Sequence, residues 1–123
     1  LSNNSTKLKM RSKVKFGYKQ TGGTSVVTKN ENDKNFTFYA NFKIGDSCIK
    51  LINEKISIKV DVEGHELNVL EGIKGVIKNN QCILQIEIFE ENYNIVNNFL
   101  LSFGYKKFYE VKNRCNYFYS NFK

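Results

Sequence analysis

The 123-residue sequence predicts an α/β fold: a mixed sheet with parallel strands, flanking helices and a C-terminal antiparallel hairpin. Three observations predict it. The run Ile58-Lys59-Val60-Asp61-Val62-Glu63-Gly64-His65-Glu66-Leu67 passes from the alternation of a strand, through a glycine, into helical spacing. Cys82 to Phe89, which follows that helix pattern, is apolar on both faces, as a central parallel strand is. Tyr105 to Val111 and Arg114 to Ser120 then flank Lys112-Asn113 and read as a hairpin. Apolar content of 41% with 14% aromatic residues belongs to a folded chain, and the length suits one small domain.

From the amino end, Lys7 to Phe16 and Phe36 to Lys43 both alternate, and read as antiparallel strands flanking a mobile loop at Lys29 to Asn35. The second buries Phe36, Phe38, Ala40 and Phe42 on one side. The first places Lys7, Lys9, Arg11, Lys13 and Lys15 on a single face. With a formal charge of +7, such a row suits phosphates. A lysine-faced strand is also how sheets protect an edge from pairing. The chain is rich in Lys, Asn and Ile and lacks Pro and Trp, a bias of low-GC coding, so the solvated edge is the favoured reading and nucleic acid is not the expected partner.

Asp46 can cap a short helix through about Asn53. In the strand Ile56 to Val62, residues Ile58, Val60 and Val62 share one face; Lys59, Asp61 and, if the chain stays extended, Glu63 share the other. Gly64 permits the tight turn that follows. Leu67, Leu70, Ile73 and Ile77 form one stripe of a helix from about Glu66 to Lys78, which Asn79-Asn80 closes. Gly72 and Gly75 inside it each cost about 1 kcal/mol relative to Ala, which signals close packing on the sheet or simple tolerance. A further helix carries Ile95, Val96, Phe99, Leu100 and Phe103 on its apolar side and stops at Gly104. The chain divides into antiparallel strands and loop over 1–45, then a βαβα unit with a hairpin over 46–123.

Ligands of open α/β sheets bind outside the carboxyl ends of the strands. Asp61, Glu63 and His65 fall at that place, and a carboxylate or imidazole there can take up the proton of a reacting hydroxyl. Lys59 and Glu87, the latter near the end of the adjacent strand, are the candidate substrate-binding residues of the same crevice. Asp61 with Glu87 could also hold a divalent metal through oxygen ligands, though no spacing demands one. The structural alternatives are that Asp61 and Glu63 cap the next helix or pair with Lys59, and that His65, as a lone histidine, serves the fold. Glu66 reads as a first-turn helix acid. The aromatic tail, Tyr105, Phe108, Tyr109, Tyr117, Phe118, Tyr119 and Phe122, reads mainly as core packed on the last helix.

The central run, with Val69-Leu70-Glu71-Gly72 after it, resembles the segment shared by FkbM-type methyltransferases, enzymes that use S-adenosylmethionine. Gly45-Asp46-Ser47 is similar to the family's Leu-Asp-Ser-Leu patch, with Gly45 in place of Leu. Ile83-Leu84-Gln85-Ile86-Glu87-Ile88 is similar to its next strand, Phe103-Gly104-Tyr105 to its helix-ending Gly-Tyr, and Asn116-Tyr117-Phe118 to its closing strand. Thr21-Gly-Gly-Thr-Ser25 resembles a Gly/Ser stretch more weakly. The resemblance covers about residues 1–120. It implies the C-terminal portion of a Rossmann-like class I methyltransferase fold, in one partial domain, that methylates an oxygen of a small metabolite or sugar with Asp61, Glu63 or His65 as base.

The family's glycine-rich cofactor loop and the acid that holds the cofactor's ribose have no counterpart in the sequence. The chain is thus expected to be a carboxyl-terminal half, inactive alone. The strand bearing Asp61 then has an unpaired edge, which should seek self-association or the missing half. The competing expectation is a non-catalytic assembly module that recruits another chain through that edge. Cys48, Cys82 and Cys115 are odd in number and widely spaced, and read as buried free thiols of a cytoplasmic protein. Neither a secretory leader nor a membrane-length apolar run is present in the sequence.

Overall fold

A computed structural model describes residues 1–19, 22–27, 36–111 and 113–123. The expected loop at Lys29 to Asn35, Thr21 of the Gly/Ser stretch and Lys112 of the hairpin turn lie outside the described residues.

Alternation produces β1 (Thr6–Ser12), which pairs antiparallel with β5 (Phe36–Phe42) from Thr6↔Phe42 to Ser12↔Phe36. On its other side β1 pairs with the short β4 (Ser25–Val26). β1 is therefore the middle strand of this sheet, and its lysines do not guard an edge. Nor do the five cations form one row. The strand ends at Ser12, and β2 (Val14–Lys15) turns through Phe16 and Gly17, both at positive φ, into β3 (Tyr18–Lys19). Lys7, Lys9 and Arg11 keep the shared face; Lys13 and Lys15 leave it. Phe36 and Phe38 line up with Ala40 and Phe42 but remain 37% exposed. They stack on each other, with Lys19 Nζ 3.5 Å from the Phe36 ring centre.

The second sheet has the order β6-β7-β9-β8. β6 (Lys55–Val60) runs parallel to β7 (Gln81–Glu87), in register from Lys55↔Gln81 to Val60↔Ile86. The hairpin of β8 (Lys106–Val111) and β9 (Asn116–Ser120) folds back so that β9, not β8, lies against β7. β6 forms an outer strand of that sheet.

Helices α1 (Gly45–Cys48), α2 (Glu66–Gly72), α3 (Lys74–Asn79) and α4 (Glu90–Ser102) complete the chain. Their apolar sides meet one sheet face in a core of Val60, Val69, Leu70, Ile73, Val76, Ile77, Cys82, Leu84, Ile86, Ile88, Val96, Leu100, Tyr105 and Tyr119. Ile95, expected on the buried stripe of α4, is 55% exposed. α4 ends in a Schellman motif: Gly104 at φ +81 donates to Leu101 O at 3.0 Å, and Tyr105 N donates to Leu100 O at 3.1 Å.

The single helix expected over Glu66 to Lys78 is two, because Ile73 (φ −116, ψ 20) leaves helical geometry. Asp46 explains how the second survives. It lies in a one-turn helix that does not reach Asn53, and its carboxylate accepts hydrogen bonds from Gly75 N at 2.8 Å and Val76 N at 3.0 Å. Asp46 thus caps α3 rather than its own helix. A Cβ on Gly75 would stand 3.0 Å from that carboxylate, and one on Gly72 would collide with the Ser2 backbone. Close approach of other segments, not of the sheet, fixes both glycines. At the far end of α3, Asn80 Nδ2 donates to Val76 O and Leu51 O, and the Tyr105 hydroxyl donates to Ile77 O.

Of the cysteines, only Cys82 is buried; Cys48 is exposed and Cys115 intermediate, and all three are free thiols. Tyr105 and Tyr119 are buried, but Phe108 and Tyr109 are more than half exposed. Among the described residues no helix is long and apolar enough to cross a membrane.

Replacing Asp46 with Ala should lower unfolding free energy by about 1–2 kcal/mol, the usual cost of a lost helix cap. Urea midpoints of the two proteins measure it, and an unchanged midpoint would show that α3 does not rely on this carboxylate.

Candidate functional site

The parallel register decides what meets at the carboxyl end of β6 and β7. Lys59 stands opposite Gln85 and Val60 opposite Ile86. One step on, Asp61 arrives beside Glu87. These residues lie on the sheet face that the helices leave open, where Ile83 is 37% exposed. Lys59 Nζ donates to Asp61 Oδ2 at 2.8 Å, with both side chains largely in solvent. At that exposure the pair fixes geometry more than it stabilises the fold. β9 adds Asn116, opposite Glu87, whose Oδ1 accepts from Gln85 Nε2 at 3.0 Å.

Glu87 is held above the ordinary carboxylate range, first by burial, then by the negative charges of Asp61 and Glu63 and a hydrogen bond with Asp61, with Lys59 acting the other way. Burial and each of these negative charges penalise the ionised form of Glu87. Lys59 is shifted the opposite way in charge terms: its hydrogen bond and attraction to Asp61 stabilise the ammonium.

Glu63 does not continue the Asp61 face. The chain turns sharply there, with Glu63 at φ +52 and Gly64 at φ +94. A non-glycine residue in that region is uncommon, and the turn carries Glu63 into a cleft with Arg11, Lys13, Gly23, Ser25 and Phe89. His65, at the start of α2, has its Nε2 3.0 Å from the Ser2 hydroxyl and its ring edge-on to Phe42. Burial lowers its proton affinity. Both contacts tie the amino-terminal segment to the turn.

Neither Asp61 nor Glu63 caps α2. Glu66 is the local acceptor: its Oε1 receives the Gly64 N–H at 2.7 Å, while its Oε2 is buried without a partner among the described residues. Burial pushes this carboxyl upward; hydrogen bonds from the Gly64 and Glu66 amides oppose the shift, and the charges of Glu63 and Asp61 add to it. Sequence reasoning treated Glu66 as an ordinary helix acid and passed over Gln85 and Asn116. Gln85 had a signal, since it shares strand parity with Glu87; Asn116 depends on where β9 inserts.

Beside the edge of β6 that no strand among the described residues pairs with runs an apolar groove of about 340 Å³, floored by Ile56, Ile58, Val60 and Val62 and walled by Val69 and Ile73. Among the described residues no group of three or more His, Cys, Asp or Glu side chains is arranged to hold a metal ion.

The family model for the methyltransferase FkbM domain matches residues 7–107, most of the chain. The chain belongs to this family, and membership supports a methyltransferase function. No curated protein and no solved structure matches it.

Because the folded state favours protonated Glu66, its contribution is full below the ordinary value of 4.5 and is lost as pH rises through the raised folded value. The stability of the wild type relative to Glu66→Gln should therefore fall as pH increases across that interval. Parallel denaturation curves from pH 4 upward measure it, and a difference that grows with pH would reverse the assignment.

Proposed function

We propose that this member of the FkbM family is part of a Rossmann-like, S-adenosylmethionine-dependent methyltransferase acting on a hydroxyl oxygen of a small metabolite or sugar in the cytoplasm. The observation that carries the proposal is the meeting of Lys59, Asp61 and Glu87 at the carboxyl ends of the parallel pair. An attacking hydroxyl must surrender its proton. Of the carboxyl groups of Asp61 and Glu87, which are placed to accept it as charge develops on the oxygen, Glu87 has its proton affinity raised by burial and by the neighbouring charges. Lys59 holds Asp61 in place, and Asn116 and Gln85 offer amide groups to neighbouring hydroxyls. Glu63 and His65 are the alternative bases, less favoured because Glu63 turns away from Asp61 and His65 is engaged by Ser2 and Phe42.

S-adenosylmethionine supplies an electrophilic methyl group when bound. The described residues do not fit it unaided. Gly45, at one strand-to-helix turn, is filled by Ile73. Gly64, at another, is flanked by Asp61 and Glu63, whose charge repels the donor's own carboxylate. Gly22-Gly23 precedes β4, not a helix. The cofactor cradle is accordingly assigned to polypeptide beyond these residues, and the chain is inactive alone.

The open edge of β6, its apolar groove and the uncovered sheet face support the same conclusion. Parallel strands ordinarily have both faces covered. An added strand, from the remainder of the domain or from a second copy, would cover the groove. That edge also favours the second reading, a non-catalytic module that recruits another chain. Nucleic acid is not the proposed partner.

In a protein that includes the cofactor-binding portion, Asp61→Asn and Glu87→Gln should each reduce methyl transfer by about 10²-fold or more with the fold intact. Full activity in both variants would overturn the assignment of the proton transfer to Asp61 and Glu87. Calorimetric titration of these 123 residues with S-adenosylmethionine should give no binding heat; saturable binding would contradict the assignment of the cradle.

A further inference from the structure

The edge of β6 that no strand among the described residues pairs with has a defined hydrogen-bonding phase. Gln81 N donates to Glu54 O at 2.8 Å, so the peptide groups of Glu54 face β7. With a strand's period of two, Ile56, Ile58 and Val60 bond to β7 as well, and Lys55, Ser57 and Lys59 direct their N–H and C=O groups outward. Outward backbone of this kind is a template for another strand. The side chains beside it alternate: Ile56, Ile58 and Val60 floor the groove of about 340 Å³ on the helix side. Lys55, Ser57, Lys59 and Asp61 stand on the uncovered side, with both lysines and Ser57 exposed.

The strand complements itself. A two-fold axis normal to the sheet sets two copies of one strand antiparallel while keeping the helices of both on the same face. Faces match only when a residue lies on that axis, and charge and length decide which one. With Ser57 on the axis, Lys55 would oppose the partner's Lys59; with Lys59 on the axis, that lysine would oppose its own counterpart. Like charges directly across a ladder repel. Ile56 or Val60 on the axis would run the pairing into Asn53 or Glu63, both at positive φ. With Ile58 on the axis, Lys55 opposes the partner's Asp61, Ile56 opposes the partner's Val60, and Ile58 opposes its own counterpart. Ser57 and Lys59 then meet the partner's Lys59 and Ser57 as hydrogen-bonded pairs. The lysines of this edge therefore select a register instead of forbidding one.

We propose that β6 pairs antiparallel with β6 of a second copy about a two-fold axis at Ile58, which joins the two sheets and places the partner's Lys55 beside Asp61. Self-complementarity is the reason for a second copy over an unrelated strand: one sequence supplies the cation at one end, the acid at the other and the apolar residues between. The pairing does not depend on methyl transfer, but its consequence for the site rests on that reading. Asp61, already held by Lys59 Nζ at 2.8 Å, gains a second cation from across the edge. It stays ionised, and Glu87 is left as the group that takes the proton.

Sedimentation of the 123-residue chain from about 1 μM to about 1 mM, the span in which modest interfaces associate, should show a monomer–dimer equilibrium. Lys55→Asp, an exposed change, should weaken it at least tenfold. Ser57→Pro, which removes an outward N–H from an edge where proline is tolerated, should do the same, with circular dichroism unchanged in both. Lys55→Asp combined with Asp61→Lys should recover most of the loss. In a Cys48→Ser, Cys115→Ser background, which leaves only the buried Cys82, single cysteines read the register. Ile58→Cys should oxidise to a linked dimer, because residues opposed in a non-hydrogen-bonded pair lie about 4.5 Å apart at Cα, within disulfide reach. Ser57→Cys and Lys59→Cys should not. A monomer at every concentration, association unchanged by Lys55→Asp, or cross-linking through position 57 or 59 in preference to 58 would overturn the proposal, the first by giving the edge to another occupant such as the remainder of the domain. A dimer of this register alongside full methyl transfer in the Asp61 and Glu87 variants would instead overturn the reaction and leave the pairing standing.

Discussion

The site depends on one constraint, the parallel register of β6 on β7. Because Val60 pairs with Ile86, both apolar faces reach the core together and both polar faces reach the open side together. A shift of one residue would bury Lys59 and Asp61 and expose Ile58 and Val60, so the core that stabilises the fold also enforces the juxtaposition of Asp61 with Glu87. Ile58, Val60, Leu84 and Ile86 belong to the same apolar cluster. Packing and chemistry are two consequences of a single alignment.

Much of this was legible in the sequence. Alternation placed Lys59 and Asp61 on one face, and they form an ion pair; Gly64 marked a turn whose φ is indeed positive; Gly104 marked the end of α4. These signals are local, and local rules read them. The departures came where distant segments decide. Asp46 looks like a cap for the residues after it, yet its acceptor oxygens serve amides 29 and 30 positions away. Ile73 fits a helical stripe, and the glycines at 72 and 75 beside it read as close packing or tolerance, not as a break. The lysines of β1 resemble edge protection, but β5 and β4 pair with both sides of that strand.

The site itself was partly legible for the same reason. Asp61, Lys59 and Glu87 follow from strand parity and come together. Glu63 was placed with them only on the condition that the chain stay extended, and the turn at Glu63 and Gly64 breaks that condition. The consequence is a division of labour among the acids. Asp61 and Glu87 face each other on the open sheet face, Glu63 faces cations contributed by the first sheet, and Glu66 is spent on holding the turn. That first sheet thereby ceases to be a mere appendage: Ser2, Phe42, Arg11 and Gly23 all reach the loop after β6.

The coupling of Asp61 to Glu87 is the claim on which this account stands, and carboxyl carbon NMR measures it directly. The Glu87 carboxyl should titrate above its ordinary 4.5, and replacing Asp61 with Asn should bring it part of the way back, since burial and Glu63 remain. A Glu87 titration at the ordinary value, indifferent to Asp61→Asn, would contradict the account.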